Sequence, residues 1–123
     1  MRLFPLVVAM SLSLLSMPAA ASDEVQHYAA KPSETLAEAL ENLAAYNAKV
    51  TDVLAREDLT ASDMEEIHEY TYTLEQAVAR IANSVEAAAV ALERVHLASE
   101  GDDPAELRGN SRVYLEQVGP LTE

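Results

Sequence analysis

Residues 61–100 read ASDMEEIHEYTYTLEQAVARIANSVEAAAVALERVHLASE and contain neither Gly nor Pro, the two residues that most readily interrupt a helix. Apolar or small side chains recur in this run at alternating steps of three and four residues, which is the spacing of one face of an α-helix. The series consists of Met64, Ile67, Thr71, Leu74, Val78, Ile81, Val85, Ala88, Leu92, Val95 and Ser99. We therefore predict one continuous helix over about residues 61–99, roughly 58 Å long at 1.5 Å per residue.

A second series with the same spacing precedes this run and predicts a shorter helix over about residues 34–56. Its members are Leu36, Leu40, Leu43, Asn47, Val50 and Leu54. Ser33 follows Pro32 and is the expected N-cap of this helix, because a Ser oxygen readily accepts from the first free amides. Thr60, with Asp63 three residues later, has the spacing of a capping box for the long helix.

A third helix is predicted after Gly101. Asp103 and Pro104 are the residue types preferred at the N-cap and the first helical position. Apolar or small residues then continue at steps of four, three and four until Gly119. Because the two shorter helices together match the length of the long one, we expect the first to fold back on residues 61–83 and the third on residues 85–99.

These elements predict an all-α fold, a bundle of three helices with a long central helix over about 61–99. A two-layer arrangement of this kind leaves one side of the long helix uncovered. Asn83-Ser84 is the weak point of the run, and a break there would give a four-helix bundle instead. We therefore predict either a homodimer that completes a four-helix layer or a monomeric bundle with a broken central helix.

The N-terminal segment has the pattern of an export signal. Residues 1–21, MRLFPLVVAMSLSLLSMPAAA, combine a short basic start, an apolar run and an A-x-A site, and we predict a cleaved signal peptide. The apolar run is shorter than the roughly 20 residues that a membrane span needs. We expect residues 22–33 to form an extended or disordered leader, residues 34–119 to form a single helical domain, and the protein to be located in the periplasm or secreted without a membrane span.

Composition excludes several classes of protein. The chain has 123 residues, with 8 Lys or Arg against 21 Asp or Glu, and a formal net charge of −13. A nucleic-acid binder is not expected, because the phosphate backbone would repel this charge. The absence of Cys excludes disulfides, thiolate metal sites and covalent haem. The acidic surface either keeps the protein soluble or attracts a cationic partner.

The sharpest candidate for chemistry is a repeated Glu-x-x-His. Glu65 precedes His68, and Glu93 precedes His96, at a spacing that puts carboxylate and imidazole on one helix face. Di-iron bundles use two such motifs with further Glu residues on other helices, which the first predicted helix does not supply. On a continuous helix the two motifs are about 42 Å apart, so only a break near Asn83 would join them.

These four residues allow two interpretations. They could bind a divalent metal or haem, separately or together, since imidazole suits Zn, Cu and Ni. Both His residues directly follow a member of the apolar series, however, and a His ring commonly packs at the edge of a core. No cofactor is required under that second interpretation.

Three segments carry a family resemblance: HYAAKPSETLAEALENL at residues 27–43, HEYTYTLEQA at 68–77 and LERVHLASE at 92–100. Together they resemble an uncharacterised family of small exported all-helical bacterial proteins. The resemblance implies export and a helical fold, and it carries no catalytic residue across. The sequence is also weakly similar to small periplasmic four-helix cytochromes. However, its first predicted helix has no Met and its third has no His, the residues that ligate haem in those proteins.

Function is predicted from these features together. The sequence contains no nucleophile elbow, phosphate-binding loop, HExxH motif or calcium loop, and we predict that the protein is not an enzyme. We expect an acidic, exported helical protein that binds a protein partner or self-associates in the bacterial envelope. The alternative is a periplasmic metal- or haem-binding protein that uses His68 and His96 with neighbouring carboxylates.

Overall fold

The computed structural model describes residues 28–122, which contain three α-helices and no strand. Helix α1 spans Leu36–Leu54, α2 spans Ala61–Ser99, α3 spans Pro104–Val118, and a short 3-10 turn follows at Gly119–Leu121. The predicted all-α fold with a long central helix is confirmed. Helix α2 continues through Asn83 and Ser84, so the four-helix alternative is wrong. The predicted signal peptide at 1–21 and leader residues 22–27 lie outside the described residues.

The ends of the helices are defined by side-chain caps. The Thr60 hydroxyl accepts from the Asp63 amide, and the Asp63 carboxylate accepts from the Thr60 amide at 2.7 Å, as the capping-box spacing predicts. Asp103 caps α3 by accepting from the amides of Ala105 and Glu106. These caps satisfy amides that have no partner inside their own helix.

The N-cap of α1 differs from the prediction. Thr35, and not Ser33, accepts from the amide of Glu38, whose carboxylate in turn accepts from the Thr35 amide at 3.1 Å. This box starts the helix two residues later, at Leu36. The Ser33 hydroxyl is used elsewhere, because it accepts a hydrogen bond from Asn42 at 2.9 Å.

The two shorter helices pack on different halves of α2, as the lengths predict: Tyr46 of α1 meets Tyr70 in the first half, and Asn110 of α3 donates to the Arg94 carbonyl in the second. Ala39 of α1 and Ala77 of α2 have no exposed surface, which indicates a close approach of the two backbones. Ala88, Ala91 and Ala98 are the buried side chains in the second half of α2. Small residues therefore line the helix interfaces.

The residues that precede α1 lie across the α1–α2 pair as an extended segment, residues 28–33, which we call the strap. The amide of Lys31 donates to the Thr73 hydroxyl at 3.0 Å, and the Arg80 guanidinium donates to the Ser33 carbonyl at 3.0 Å. Asn42 donates to the Pro32 carbonyl at 3.0 Å and to Ser33. The strap thus covers one side of the α1–α2 pair with polar contacts.

The apolar series of α2 is not its most buried stripe. Met64, Val78, Val85 and Leu92 are all exposed, and the buried side chains lie next to them on the helix. The buried set is Asp63, Thr73, Ala77, Ala88, Ala91 and Ala98. Ala88 belongs to both the buried set and the apolar series, and Ile67, Leu74, Ile81 and Val95 of the series are half-buried. Close packing of small residues therefore turns the series partly outward and leaves its other large side chains exposed.

Candidate protein-interaction face

Opposite the strap, the α1–α2 pair presents an apolar face. At about 100° per residue, Val78 lies about 140° around α2 from the strap contact Thr73, and Asn47 lies about 140° around α1 from Asn42. Because α1 and α2 run antiparallel, these rotations place Val78 of α2 and Asn47 of α1 on the same side of the helix pair, opposite the strap. We call this surface the charge-free face. Its members are Leu40, Asn47 and Leu54 of α1 and Met64, Thr71, Val78, Ala82, Val85, Ala89 and Leu92 of α2.

The charge-free face combines exposed apolar side chains with an absence of charged residues. Met64 is 68% exposed and Val78 is 53% exposed, although both are large apolar side chains. Neither apolar series, in α1 or in α2, contains an Asp, Glu, Lys or Arg, whereas 24% of all residues are charged. An apolar strip of this length is a candidate surface for contact with another molecule.

At its C-terminal end, the charge-free face opens into a shallow groove of about 560 Å³. Ala89, Leu92 and Val95 supply its apolar lining, and Glu93, His96 and Ser99 supply polar atoms, so the groove carries a carboxylate that the face itself lacks. The groove is open to solvent along α2. It extends the apolar strip towards the end of the helix.

The turn between α1 and α2 is polar and internally paired. Arg56 forms ion pairs with Asp63 and with Glu66, the latter at 3.0 Å. Hydrogen bonds from the hydroxyl and amide of Thr60, together with Arg56, lower the pKa of Asp63 to about 2. The Tyr70 hydroxyl, which donates to Glu66 at 2.7 Å, and Arg56 lower the pKa of that carboxyl as well. This cluster fixes the turn between α1 and α2.

Aromatic contacts add to the same cluster. The rings of Tyr46 and Tyr70 meet edge to face with centroids 5.7 Å apart, which joins α1 to α2. The Lys49 ammonium lies 4.2 Å from the centroid of the Tyr46 ring. Cation–π contacts of this kind hold the charge at the edge of the interface, away from the charge-free face.

The Glu-x-x-His residues are used in other contacts. Glu65 accepts a hydrogen bond from Tyr28 of the strap at 2.8 Å, which raises the pKa of that phenol. His68 packs edge to face with Tyr72, and their polar atoms are 3.2 Å apart. His96 lies 3.5 Å from Glu100, one turn onward, instead of pairing with Glu93.

The two motifs do not form one site. His68 and His96 lie on the same unbroken helix, about 42 Å apart at 1.5 Å per residue. Within residues 28–122, no group of three or more His, Cys, Asp or Glu side chains is arranged to hold a metal ion. Metal or haem binding at one His alone stays a prediction.

Sequence reasoning missed Asn42, the buried residue that anchors the strap, and noted Asn47 only as the polar member of the first apolar series. It also treated the apolar series as a helix interface, whereas half of it faces outward. The sequence did carry a signal of this exposed apolar face, because neither apolar series contains a charged residue. A partly exposed helix face normally carries charged residues at some positions.

None of the helices described between residues 28 and 122 combines the length and apolar character that crossing a bilayer requires. A family model, the family of unknown function DUF6746, matches residues 1–123. No curated protein and no solved structure matches the chain.

Proposed function

Since the chain belongs to the family of unknown function DUF6746 over its whole length, we propose a role from its geometry: a non-enzymatic, exported protein that acts by binding a protein surface. The observation that carries this proposal is the charge-free face, a large apolar strip in a chain of net charge −13. The signal-peptide pattern at residues 1–21 supports export to the periplasm or beyond.

Physical chemistry favours a macromolecular partner over a small ligand. The face is long and shallow, whereas small-molecule sites are concave and bury most of the ligand. Its centre is apolar and uncharged, while charged residues such as Glu75 and Glu93 lie beyond its edge on α2. An apolar centre with a charged rim is the usual anatomy of a protein–protein interface.

Photo-crosslinking in the cells that produce the protein tests this proposal. A benzophenone side chain replaces Val78, on the charge-free face, or Val90, which lies about 120° around the same helix. Val78 and Val90 are both 53% exposed, so they are matched for access. We expect discrete protein adducts from position 78 and none from position 90. Equal labelling at both positions, or none at either, would contradict the proposal.

Location is tested separately. The full-length chain is produced in its own cells, and the released and cytoplasmic fractions are compared by intact mass. We expect a chain that begins at Ser22 in the exported fraction. An uncut chain that stays in the cytoplasm would refute export without affecting the binding role.

A further inference from the structure

We propose that the partner of the charge-free face is a second copy of this chain, packed antiparallel in a symmetric dimer. The inference rests on the proposed function and names its partner. In this arrangement the two α2 helices lie face to face, and each copy contributes its α1 on the opposite flank. The result is a four-helix layer at each end of the long helices.

The pattern along α2 fits its own reverse. Members of the apolar series recur every seven residues from Met64 to Ser99, without a slip, along the whole helix. A two-fold axis near the middle of α2 places Val78 of one copy close to Val85 of the other. Ala82 lies beside that axis, and its small side chain allows the two helices to approach closely. An isologous contact of this kind needs one self-complementary surface, which this face supplies.

Charge is compatible with a second copy on this face. Two chains of net charge −13 repel each other over most orientations. The members of the charge-free face include no like charges to oppose when the face meets its own image. In the antiparallel register, Glu57 and Asp58 lie opposite about residues 105–106 of the second copy, next to Asp102 and Asp103. Charge therefore does not select the orientation, which rests on the reversed match of the apolar series.

The size of the face is adequate for a stable dimer. The face runs along α2 from Met64 to Leu92, roughly 42 Å, and a strip of roughly 15 Å across gives about 630 Å² per copy. Two copies would bury about 1,260 Å², at the lower end of the range of about 1,200–2,000 Å² typical of specific interfaces. A membrane surface is a poorer partner, since anionic lipids repel an acidic protein.

Sedimentation equilibrium of the purified protein tests the dimer. We expect the wild type to behave as a dimer that dissociates on dilution. Val78→Glu places two carboxylates near the two-fold axis, and we expect the dimer Kd to rise by about 100-fold or more. Val90→Glu, the matched control, keeps the wild-type Kd. Far-UV circular dichroism of both variants verifies that α2 is intact.

Crosslinking of thiols tests the orientation, because the chain contains no Cys. The variants are Met64→Cys, Ser99→Cys and the double variant, each treated with a short bis-maleimide. Within one chain the two positions are about 52 Å apart, too far to be linked. An antiparallel dimer links only the double variant, or a mixture of the single variants. A crosslinked dimer formed by Met64→Cys alone, or by Ser99→Cys alone, would show a parallel pair and overturn this arrangement.

The outcomes separate this inference from the proposed function. A wild type that stays monomeric, with Val78 adducts to a different protein in cells, overturns the dimer and keeps the binding role. A monomer without adducts overturns both. Adducts from Val78 with twice the mass of the chain support both proposals.

Discussion

Replacing Asn42 by Ala removes the side chain that ties the strap to α1. The Asn42 side chain is 2% exposed and donates to the Pro32 carbonyl at 3.0 Å and to the Ser33 hydroxyl at 2.9 Å. Each hydrogen bond is worth about 1 kcal/mol, and an unpaired buried hydroxyl at Ser33 costs about 1 kcal/mol more. The higher helix propensity of Ala returns roughly 0.6 kcal/mol. We therefore expect the free energy of unfolding to fall by about 2 kcal/mol.

Thermal unfolding followed by circular dichroism measures this loss. For a domain of this size, about 2 kcal/mol corresponds to a fall in melting temperature of roughly 8–16 °C. Asn83→Ala is the matched control, because Asn83 is an exposed Asn of α2 that lies outside the charge-free face. We expect its effect to stay within about 0.5 kcal/mol. A larger loss at Asn83 than at Asn42 would refute the assignment of the strap side.

Three further substitutions test the packing and the start of α2. Ala77→Leu adds three carbon atoms where Ala39 and Ala77 are fully buried, and overpacking should lower the free energy of unfolding in urea by about 1–3 kcal/mol. Thr60→Ala removes the cap of α2 and should cost about 1 kcal/mol, seen as a lower melting temperature. Asp63 has its pKa lowered from 3.8 to about 2. Its ionised form therefore stabilises the fold above about pH 4, and this contribution is lost as the pH falls through about 2. We expect the difference in free energy of unfolding between wild type and Asp63→Asn, measured by urea titration, to become smaller as the pH falls from about 4 to about 2.

Each of these predictions has its own control. Ala79→Leu enlarges an exposed Ala of the same helix, and it should leave the urea midpoint nearly unchanged. If Ala79→Leu and Ala77→Leu lower stability equally, the close approach of α1 and α2 is wrong. If the stability difference between wild type and Asp63→Asn is the same at pH 7 and at pH 2, the role of the ionised Asp63 carboxylate in the cap is wrong. A Thr60→Ala variant as stable as the wild type would show that the cap contributes nothing.

The existence and length of the helices could be predicted from local signals. Helix α2 follows from an unbroken spacing of three and four residues, and its first residue follows from the Thr60–Asp63 box. The start of α3 follows from Asp103 and Pro104 in the same way. These features depend on residues only three or four positions apart, which a single sequence displays directly.

The buried stripe of α2 could not be predicted in this way. Its choice depends on the strap, whose contacts join Lys31 to Thr73 and Ser33 to Arg80, more than 40 positions apart in the chain. If α2 were turned about its axis by about a third of a turn, the apolar series would be buried in place of the Ala-rich stripe. Both stripes have the helical period, so the sequence alone does not choose between them. The N-cap of α1 was misplaced for a related reason, because Ser33 bonds to Asn42 and leaves the cap to Thr35.

The placement of α1 and α3 on different halves of α2 has a consequence for how the chain opens. Each half of α2 is covered by its own short helix, so either hairpin can separate while the other stays closed. Helix α3 contains no fully buried side chain, whereas α1 buries Leu36, Ala39, Asn42 and Val53. Amide hydrogens of α3 and of the adjoining end of α2 should therefore exchange with solvent well before those of α1. The molecule is then two cooperative units of unequal stability that share one helix.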